Sequence, residues 1–199
     1  MAEAAEGMIC GMTAVLGLPQ EDLQRCCNKA SVLGVVQICN DNCPGQLVIG
    51  GEKVAVDYAA ELAKEAGAKR CLALKVSGPF HTSLMHPAGV ALAEKFKEIN
   101  FGPMKFPVLF NCLGKEKAAG SSIPALLERQ VQSGVHLTDT IRRLEELGVT
   151  IAIEIGPGHA ISGFVKKTVD GTIRCIAVET AEQLAGAISE IKAMRGEGE

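Results

Sequence analysis

Residues 40–51 read Asn-Asp-Asn-Cys-Pro-Gly-Gln-Leu-Val-Ile-Gly-Gly. Asparagine, aspartate, proline and glycine dominate the first six positions, and these residues favour tight turns. The run from Gln46 to Ile49 that follows predicts a strand ending at the Gly-Gly pair. Ahead of the turn, Val32 to Cys39 is rich in apolar β-branched residues and predicts another strand. The stretch therefore predicts two successive strands joined by a turn at residues 40–45.

On each side of this strand pair the sequence predicts a helix and then a further strand. Pro19 to Cys27 begins Pro-Gln-Glu-Asp, which suits the first turn of a helix, and Glu52 to Ala66 carries apolar residues at helical spacing. Met12 to Leu18 and Cys71 to Val76 are rich in strand formers. The order β-α-β-β-α-β is the split βαβ, or ferredoxin-like, arrangement. We therefore predict a ferredoxin-like small subdomain over residues 7–76.

Beyond residue 76 helical and strand patterns alternate, which predicts a parallel sheet covered by helices. The predicted helices are 83–100, 121–132, 138–147, 159–167 and 180–194, and the predicted strands are 106–110, 150–155 and 174–178. Three short strands are few for such a sheet, so residues 77–199 are expected to be the carboxy-terminal part of an incomplete subdomain. The polar tail, residues 195–199, is expected to fray.

Composition narrows the function classes. Of the 199 residues 47% are hydrophobic and 22% charged, as in ordinary soluble domains, and the net charge of −3 gives no basic field for nucleic acid. No apolar run approaches the ~18 residues of a membrane span. The amino terminus, Met1 to Glu6, is acidic and lacks the pattern of a signal peptide. We therefore expect a cytoplasmic protein that binds neither nucleic acid nor membrane.

The eight cysteines and four histidines show no metal-ligand spacing. No Cys-x-x-Cys pair occurs, and Cys26 and Cys27 are adjacent on a predicted helix, where their side chains point about 100° apart. We expect reduced, mostly buried thiols, no metal and no cofactor.

Three segments occur in a fixed order that is specific when they are taken together. The first is residues 40–51; the second is residues 67–85, which run from Gly-Ala-Lys-Arg to Val-Ser-Gly-Pro-Phe-His-Thr-Ser-Leu-Met; the third is residues 154–158, Glu-Ile-Gly-Pro-Gly. They resemble the malonyl-CoA:acyl-carrier-protein transacylase family, over about residues 7–167. The resemblance implies an α/β fold class, with residues 77–199 as the carboxy-terminal part of an α/β-hydrolase-like acyltransferase subdomain.

The resemblance also implies catalytic roles for two residues. His81 is implied as the base that takes a proton from a serine nucleophile, and it follows a predicted strand, where α/β sheets place ligand chemistry. Without the resemblance, a histidine with no catalytic task is the simpler interpretation. Gln130 is implied as the residue whose acceptor group orients the imidazole in place of an aspartate. The family then continues Asn-Pro-Val, whereas this chain has glycine at position 134, so the loop that holds His81 is expected to be less fixed.

Four further residues are implied in substrate binding. Phe80 is implied to select malonyl groups, because a phenyl ring fills the space that an extra α-methyl would need; it could equally be a packing residue. Lys69 and Arg70 are implied as contacts for the phosphates of coenzyme A or phosphopantetheine, with a solvated pair at a helix end as the alternative. Asn42 could donate to the acyl group or form an Asx-turn.

Family members also carry a Gly-Gln-Gly-Ser stretch, a Gly-His-Ser-Leu-Gly nucleophile elbow and an arginine for the malonyl carboxylate. None of these is found in the sequence, and neither Ser77 nor Ser83 lies in a Gly-x-Ser-x-Gly elbow. We therefore expect a truncated [acyl-carrier-protein] S-malonyltransferase of fatty acid synthesis, with malonyl-CoA and acyl carrier protein as partners, that is inactive alone. The alternatives are a noncatalytic module that binds acyl carrier protein, and an accessory chain that completes an active site on another polypeptide.

Overall fold

The computed structural model describes residues 3–194, and the expected fraying of residues 195–199 lies outside that range. The strands are β1 Cys10–Leu16, β2 Val36–Cys43, β3 Gln46–Glu52, β4 Arg70–Ala73, β5 Leu109–Phe110, β6 Lys115–Glu116, β7 Val135–His136, β8 Ile151–Ile155 and β9 Arg174–Val178. The helices are α1 Gln20–Ala30, α2 Lys53–Glu65, α3 His86–Phe96, α4 Ile123–Gln132, α5 Leu137–Glu146, α6 Ala160–Val169 and α7 Ala181–Met194. The chain divides into two compact units, the first ending at Thr140 and the second beginning at Ile141. The subdomain boundary after residue 76 stays a prediction.

The first unit is built on a sheet with the strand order β4-β1-β3-β2-β7. β1 is antiparallel to β3 and β4, β2 is antiparallel to β3, and β7 adds to β2 in parallel. Helices α1 and α2 pack beside each other against this sheet, and their shared core includes Val15, Leu23, Ile49 and Val56, all at most 1% exposed. The predicted β-α-β-β-α-β order and the α/β class are confirmed.

The turn predicted at residues 40–45 is wrong in its first half. Strand β2 continues to Cys43, and only Pro44 and Gly45 form the turn, with Gly45 at φ 74°. The backbone of Asn40 pairs with β3 on one side and with Val135 of β7 on the other. Register shifts at Cys39 and Asn42 let the strand bend while it keeps its pairing. Pairing with two neighbours outweighs the local turn preference of these residues.

Several elements of the connecting region are shorter than predicted. The helix predicted over 83–100 is a 3₁₀ turn, Ser83–Met85, followed by α3, which ends at Phe96. The strand predicted over 106–110 is the two-residue β5, and the strand predicted over 71–76 ends at Ala73. The short strand β7 was not predicted, because two residues leave no period to detect.

The second unit contains a two-stranded parallel sheet, β8 and β9, paired residue for residue from Ile151↔Arg174 to Ile155↔Val178. Helices α6 and α7 both contact β9. Ile153 is 43% exposed and Ile155 is 80% exposed, whereas parallel strands usually have both faces covered. Strand β8 therefore presents apolar side chains to solvent in this unit.

No helix in residues 3–194 is both long and apolar enough to cross a membrane. The described residues include every cysteine, and no disulfide joins any two of them. Burial raises the pKa of Cys27 and of Cys39 to about 12, so both are uncharged at neutral pH. Within the same range no cluster of three or more His, Cys, Asp or Glu side chains could hold a metal ion.

Candidate active site

The segment between β4 and α3 turns sharply at Pro79–Thr82 and presents His81. The backbone of His81 lies in the left-handed region, at φ 62°, which residues other than glycine seldom adopt. His81 is half-buried, so it is in partial contact with solvent. A histidine held in this way is a candidate for chemistry rather than for packing.

His81 is anchored to the carboxy-terminal end of α4 by two hydrogen bonds. The last four carbonyl groups of a helix have no partner within the helix. The backbone N–H of His81 donates to the carbonyl of Val131 at 3.3 Å, and its ring Nδ1 lies 2.9 Å from the carbonyl oxygen of Gln130. Ser133 Oγ donates to a third such carbonyl, that of Arg129, at 2.8 Å. The helix end is thus a ready acceptor site that fixes the imidazole.

The contact with Gln130 sets the tautomer of His81. A carbonyl oxygen can only accept, so Nδ1 must carry the hydrogen, and in the neutral ring Nε2 then keeps its lone pair. This is the form that a general base needs. The sequence-predicted pair His81 and Gln130 is therefore brought together, but through the main chain of Gln130. Its side-chain Oε1 accepts instead from the backbone N–H of Cys112, at 2.8 Å.

Phe80 packs between two apolar clusters of the first unit. One contains Met85, Ala88 and Val131, and the other contains Met12 and Cys39. Phe80 is itself only partly buried. It has the packing role that was the alternative interpretation, and its partial exposure leaves room for contact with a substrate.

Lys69 and Arg70 lie where strand β4 begins, and both are exposed. The backbone of Lys69 donates to the carbonyl of Leu16 at 2.8 Å. Its aliphatic stem covers Gly17, where an added Cβ would lie 2.7 Å from Lys69 Cγ. Packing of the stem orients this side chain while its charge remains in solvent.

Asn42 lies at the second register shift of β2, half-buried in the sheet rather than in an Asx-turn. The same strand reaches the histidine turn through Gln37, whose Oε1 accepts from the backbone N–H of Ser83 at 2.7 Å. Sequence reasoning missed this contact. The available indication was a glutamine inside an otherwise apolar strand pattern.

The Glu-Ile-Gly-Pro-Gly segment has an evident structural task within the second unit. The carboxylate of Glu154 accepts from the backbone N–H groups of Ile161 and Ser162, at 2.9 and 2.8 Å, and from Ser162 Oγ at 2.6 Å. Burial by itself raises the pKa of Glu154, but these hydrogen bonds, together with the charge of His159, lower it overall. Glu154 therefore joins the end of β8 to the first turn of α6.

Three surface cavities lie away from His81. The first, of about 690 Å³, is lined by Pro19, Gln20 and Gln24 at the start of α1. A second, of about 580 Å³ in the second unit, is lined by His159, Lys166 and Arg174. Another, of about 450 Å³, lies beside α2 and is lined by Ile9, Val54 and Tyr58. Cavity size therefore does not identify the candidate site, and hydrogen-bond geometry does.

No protein-family model matches the chain. The malonyl CoA-acyl carrier protein transacylase of Bacillus subtilis (strain 168) is 41% identical over 190 residues, which are 95% of this chain and 59% of the relative. A crystal structure of the enzyme of that name from Clostridium perfringens matches with a TM-score of 0.92 and 37% identity, over 98% of this chain and 61% of the other.

The third match is PlMCAT, a malonyl-transacylase whose structure was solved in complex with its type II polyketide synthase acyl-carrier protein. Its TM-score is 0.89 and its identity is 38%, over 94% of this chain and 60% of the other. The chain thus spans about three fifths of the length of the relatives it matches. Over that span, sequence and fold agree that the chain belongs to the malonyl CoA-acyl carrier protein transacylase family.

Proposed function

We propose that this chain supplies the histidine base and part of the substrate site for transfer of a malonyl group from malonyl-CoA to the phosphopantetheine thiol of acyl carrier protein, in fatty acid synthesis. The observation that carries the proposal is the 2.9 Å contact between His81 Nδ1 and the Gln130 carbonyl, which leaves Nε2 free to accept a proton. The names of the relatives support malonyl as the acyl group and acyl carrier protein as its acceptor. The solved complex of a malonyl-transacylase with an acyl-carrier protein supports the choice of partner.

In the proposed reaction a serine from outside this chain attacks the thioester carbonyl while His81 Nε2 takes the serine proton. The imidazolium formed lies at the carboxy-terminal end of α4, where the partial negative charge of the helix and the Gln130 carbonyl stabilise it. His81 then returns the proton to the departing coenzyme A thiolate. In the second half the same ring takes the phosphopantetheine thiol proton, the thiolate attacks the acyl-serine ester, and His81 gives that proton to the departing serine oxygen as the new thioester forms.

The remaining predicted residues have binding roles in this proposal. Phe80 limits the space at the α-carbon of the acyl group, Lys69 and Arg70 attract the phosphates, and Asn42 donates to the acyl group. Each role agrees with partial or full exposure of the side chain. The nucleophile elbow is not in the sequence, so the chain alone should be inactive.

The test compares the isolated chain with a fusion in which the unmatched segment of the Bacillus subtilis relative precedes Met1. Mass spectrometry after incubation with malonyl-CoA should show a covalent malonyl adduct on the fusion only. In the fusion, His81→Ala should lower the rate of malonyl transfer by about 10² to 10⁴, and Ser83→Ala should change it little.

Three results would overturn parts of this proposal. A loss of less than threefold in the His81 variant would make His81 structural. Transfer by the isolated chain, above the uncatalysed rate, would refute its need for an outside nucleophile. A fusion that binds acyl carrier protein but never transfers malonyl, with or without His81, would favour the noncatalytic binding module.

A further inference from the structure

Thr82, which follows His81, is a buried polar residue that the proposed mechanism does not use. Its side chain is 1% exposed, and its hydroxyl donates to the carbonyl of Pro79 at 2.6 Å. Pro79 is itself among the fully buried residues. The hydroxyl therefore closes the turn that contains Phe80 and His81, out of reach of competing water.

This turn needs to be held, because a left-handed backbone is unfavourable for histidine and would relax if left free. Three sets of hydrogen bonds stabilise the turn. Thr82 closes the turn from within, Gln37 of β2 accepts from the next backbone N–H at Ser83, and the end of α4 accepts from His81. The first two contacts leave the imidazole untouched, so they can act on it only through the backbone.

The two ends of the Thr82 side chain have separable tasks. Its methyl group packs on Gly50, where an added Cβ would lie 3.3 Å from Thr82 Cγ2. Its hydroxyl faces Pro79. Valine would keep the methyl contact and the volume but lose the donor, whereas serine would keep the donor.

We propose that Thr82, assisted by Gln37, is a positioning residue that keeps the His81 ring on the Gln130 carbonyl and thereby keeps Nε2 free as a base. The catalytic consequence rests on the function proposed above. The effect on the ring itself does not, since it follows from the geometry of this chain alone.

The direct test is nitrogen-15 NMR of the His81 ring in the 199-residue chain, with its signals identified by their loss in His81→Gln. Wild type should show the hydrogen on Nδ1. Thr82→Val should lower the population of that tautomer several-fold, because the ring loses its fixed distance to the carbonyl, and Thr82→Ser should retain it. An unchanged tautomer in folded Thr82→Val would refute the proposal, even if its unfolding midpoint fell.

If Thr82→Val does not fold, a second pair of variants, at Gln37, tests the same proposal. Gln37 is exposed, so Gln37→Leu should fold while it removes the acceptor for Ser83, and Gln37→Glu keeps an acceptor oxygen. Gln37→Leu should shift the tautomer in the same direction and Gln37→Glu should not. No difference between them would refute the proposal.

In the active fusion, Thr82→Val should lower kcat about tenfold or more with little change in KM, since a displacement of about 1 Å can cost 10²-fold. Added to His81→Ala, it should cause no further loss, because it acts through His81. If the two losses were additive, Thr82 would not act through His81, and the positioning role would be refuted. A tautomer shift in a fusion that never transfers malonyl would refute the proposed function and leave the positioning role intact.

Discussion

At the scale of single residues, Phe80 offers the clearest test of substrate choice. It is partly buried between two apolar clusters and directly precedes the candidate base. In the active fusion, Phe80→Ser should raise the use of methylmalonyl-CoA relative to malonyl-CoA. A methyl-sized space is worth about 1–3 kcal/mol, so a partial switch is expected. The ratio of the two kcat/KM values measures it, with Phe80→Leu as a bulky control, and an unchanged ratio would remove Phe80 from the substrate site.

The sequence predicted that His81 and Gln130 interact, but it could not predict which atoms form the contact. A motif identifies side chains, and the side chain of Gln130 binds the backbone of Cys112 instead. The atom that orients His81 is a carbonyl at a helix end. Its availability depends on where α4 stops and on the unusual φ of His81, and neither can be read from residue types.

At the scale of elements, the β1–β3 pair contains a glycine position with no room for a side chain. Gly51 has φ 155°, and an added Cβ would lie 1.9 Å from the carbonyl oxygen of Val35. Gly51→Ala should lower the free energy of unfolding by about 3 kcal/mol or more, because backbone would have to move.

Its cross-strand partner is a matched control. Gly11 pairs directly with Gly51, and nothing lies within 4 Å of a Cβ added there. Gly11→Ala should therefore change stability by about 0.5 kcal/mol or less. Urea unfolding measures the free energy of unfolding of the two variants. Equal losses of stability would show that strand propensity, rather than the contact with Val35, sets the cost of replacing Gly51.

The link between β8 and α6 should depend on pH. The pKa of Glu154 is lowered in the folded chain, so its contribution to stability is present above the ordinary glutamate pKa of about 4.3 and is lost as pH falls through the lowered value. At pH 7, Glu154→Gln should cost about 1 kcal/mol and speed amide exchange at Ile161 and Ser162. At pH 3 or below, the difference from wild type should shrink.

Glu179→Gln is the control for that change, since Glu179 Oε2 lies 3.4 Å from the Gly158 nitrogen, a longer contact than any of those to Glu154. A difference between wild type and Glu154→Gln that stays constant from pH 7 to pH 3 would show that shape, not charge, sets the effect.

Elements long enough to show a repeated apolar pattern could be predicted from the sequence. Elements that form only by pairing with a segment far away in the sequence could not. The strand Arg174–Val178 was predicted at its observed bounds, and α2 was predicted to within a residue at each end. β7 escaped prediction, and Asn40 was placed in a turn, for one reason: each depends on the other across almost a hundred residues of sequence.

At the scale of the whole molecule, the two ends of the chain should differ in protection. Residues 7–76 pair their strands in one sheet and bury a shared core. Residues 150–178 contain a two-stranded parallel sheet with exposed isoleucines. Amide exchange should therefore be slow in the first range, and fast or dependent on protein concentration in the second, because exposed edges and apolar faces favour self-association.

Sedimentation velocity on the same sample separates the outcomes. Uniformly slow exchange over residues 150–178 in a strictly monomeric sample would show that the second unit is self-sufficient. The expectation of an incomplete subdomain would then be wrong.

The left-handed backbone at His81 has a consequence for the evolution of the gene. A histidine there costs about 1 kcal/mol relative to glycine, which adopts this conformation readily. If selection acted only on folding and abundance, histidine at this codon would be replaced over time. Selection for acyl transfer would instead preserve the histidine. Codon 81 thus records which of the two pressures acts on a lineage that carries this chain.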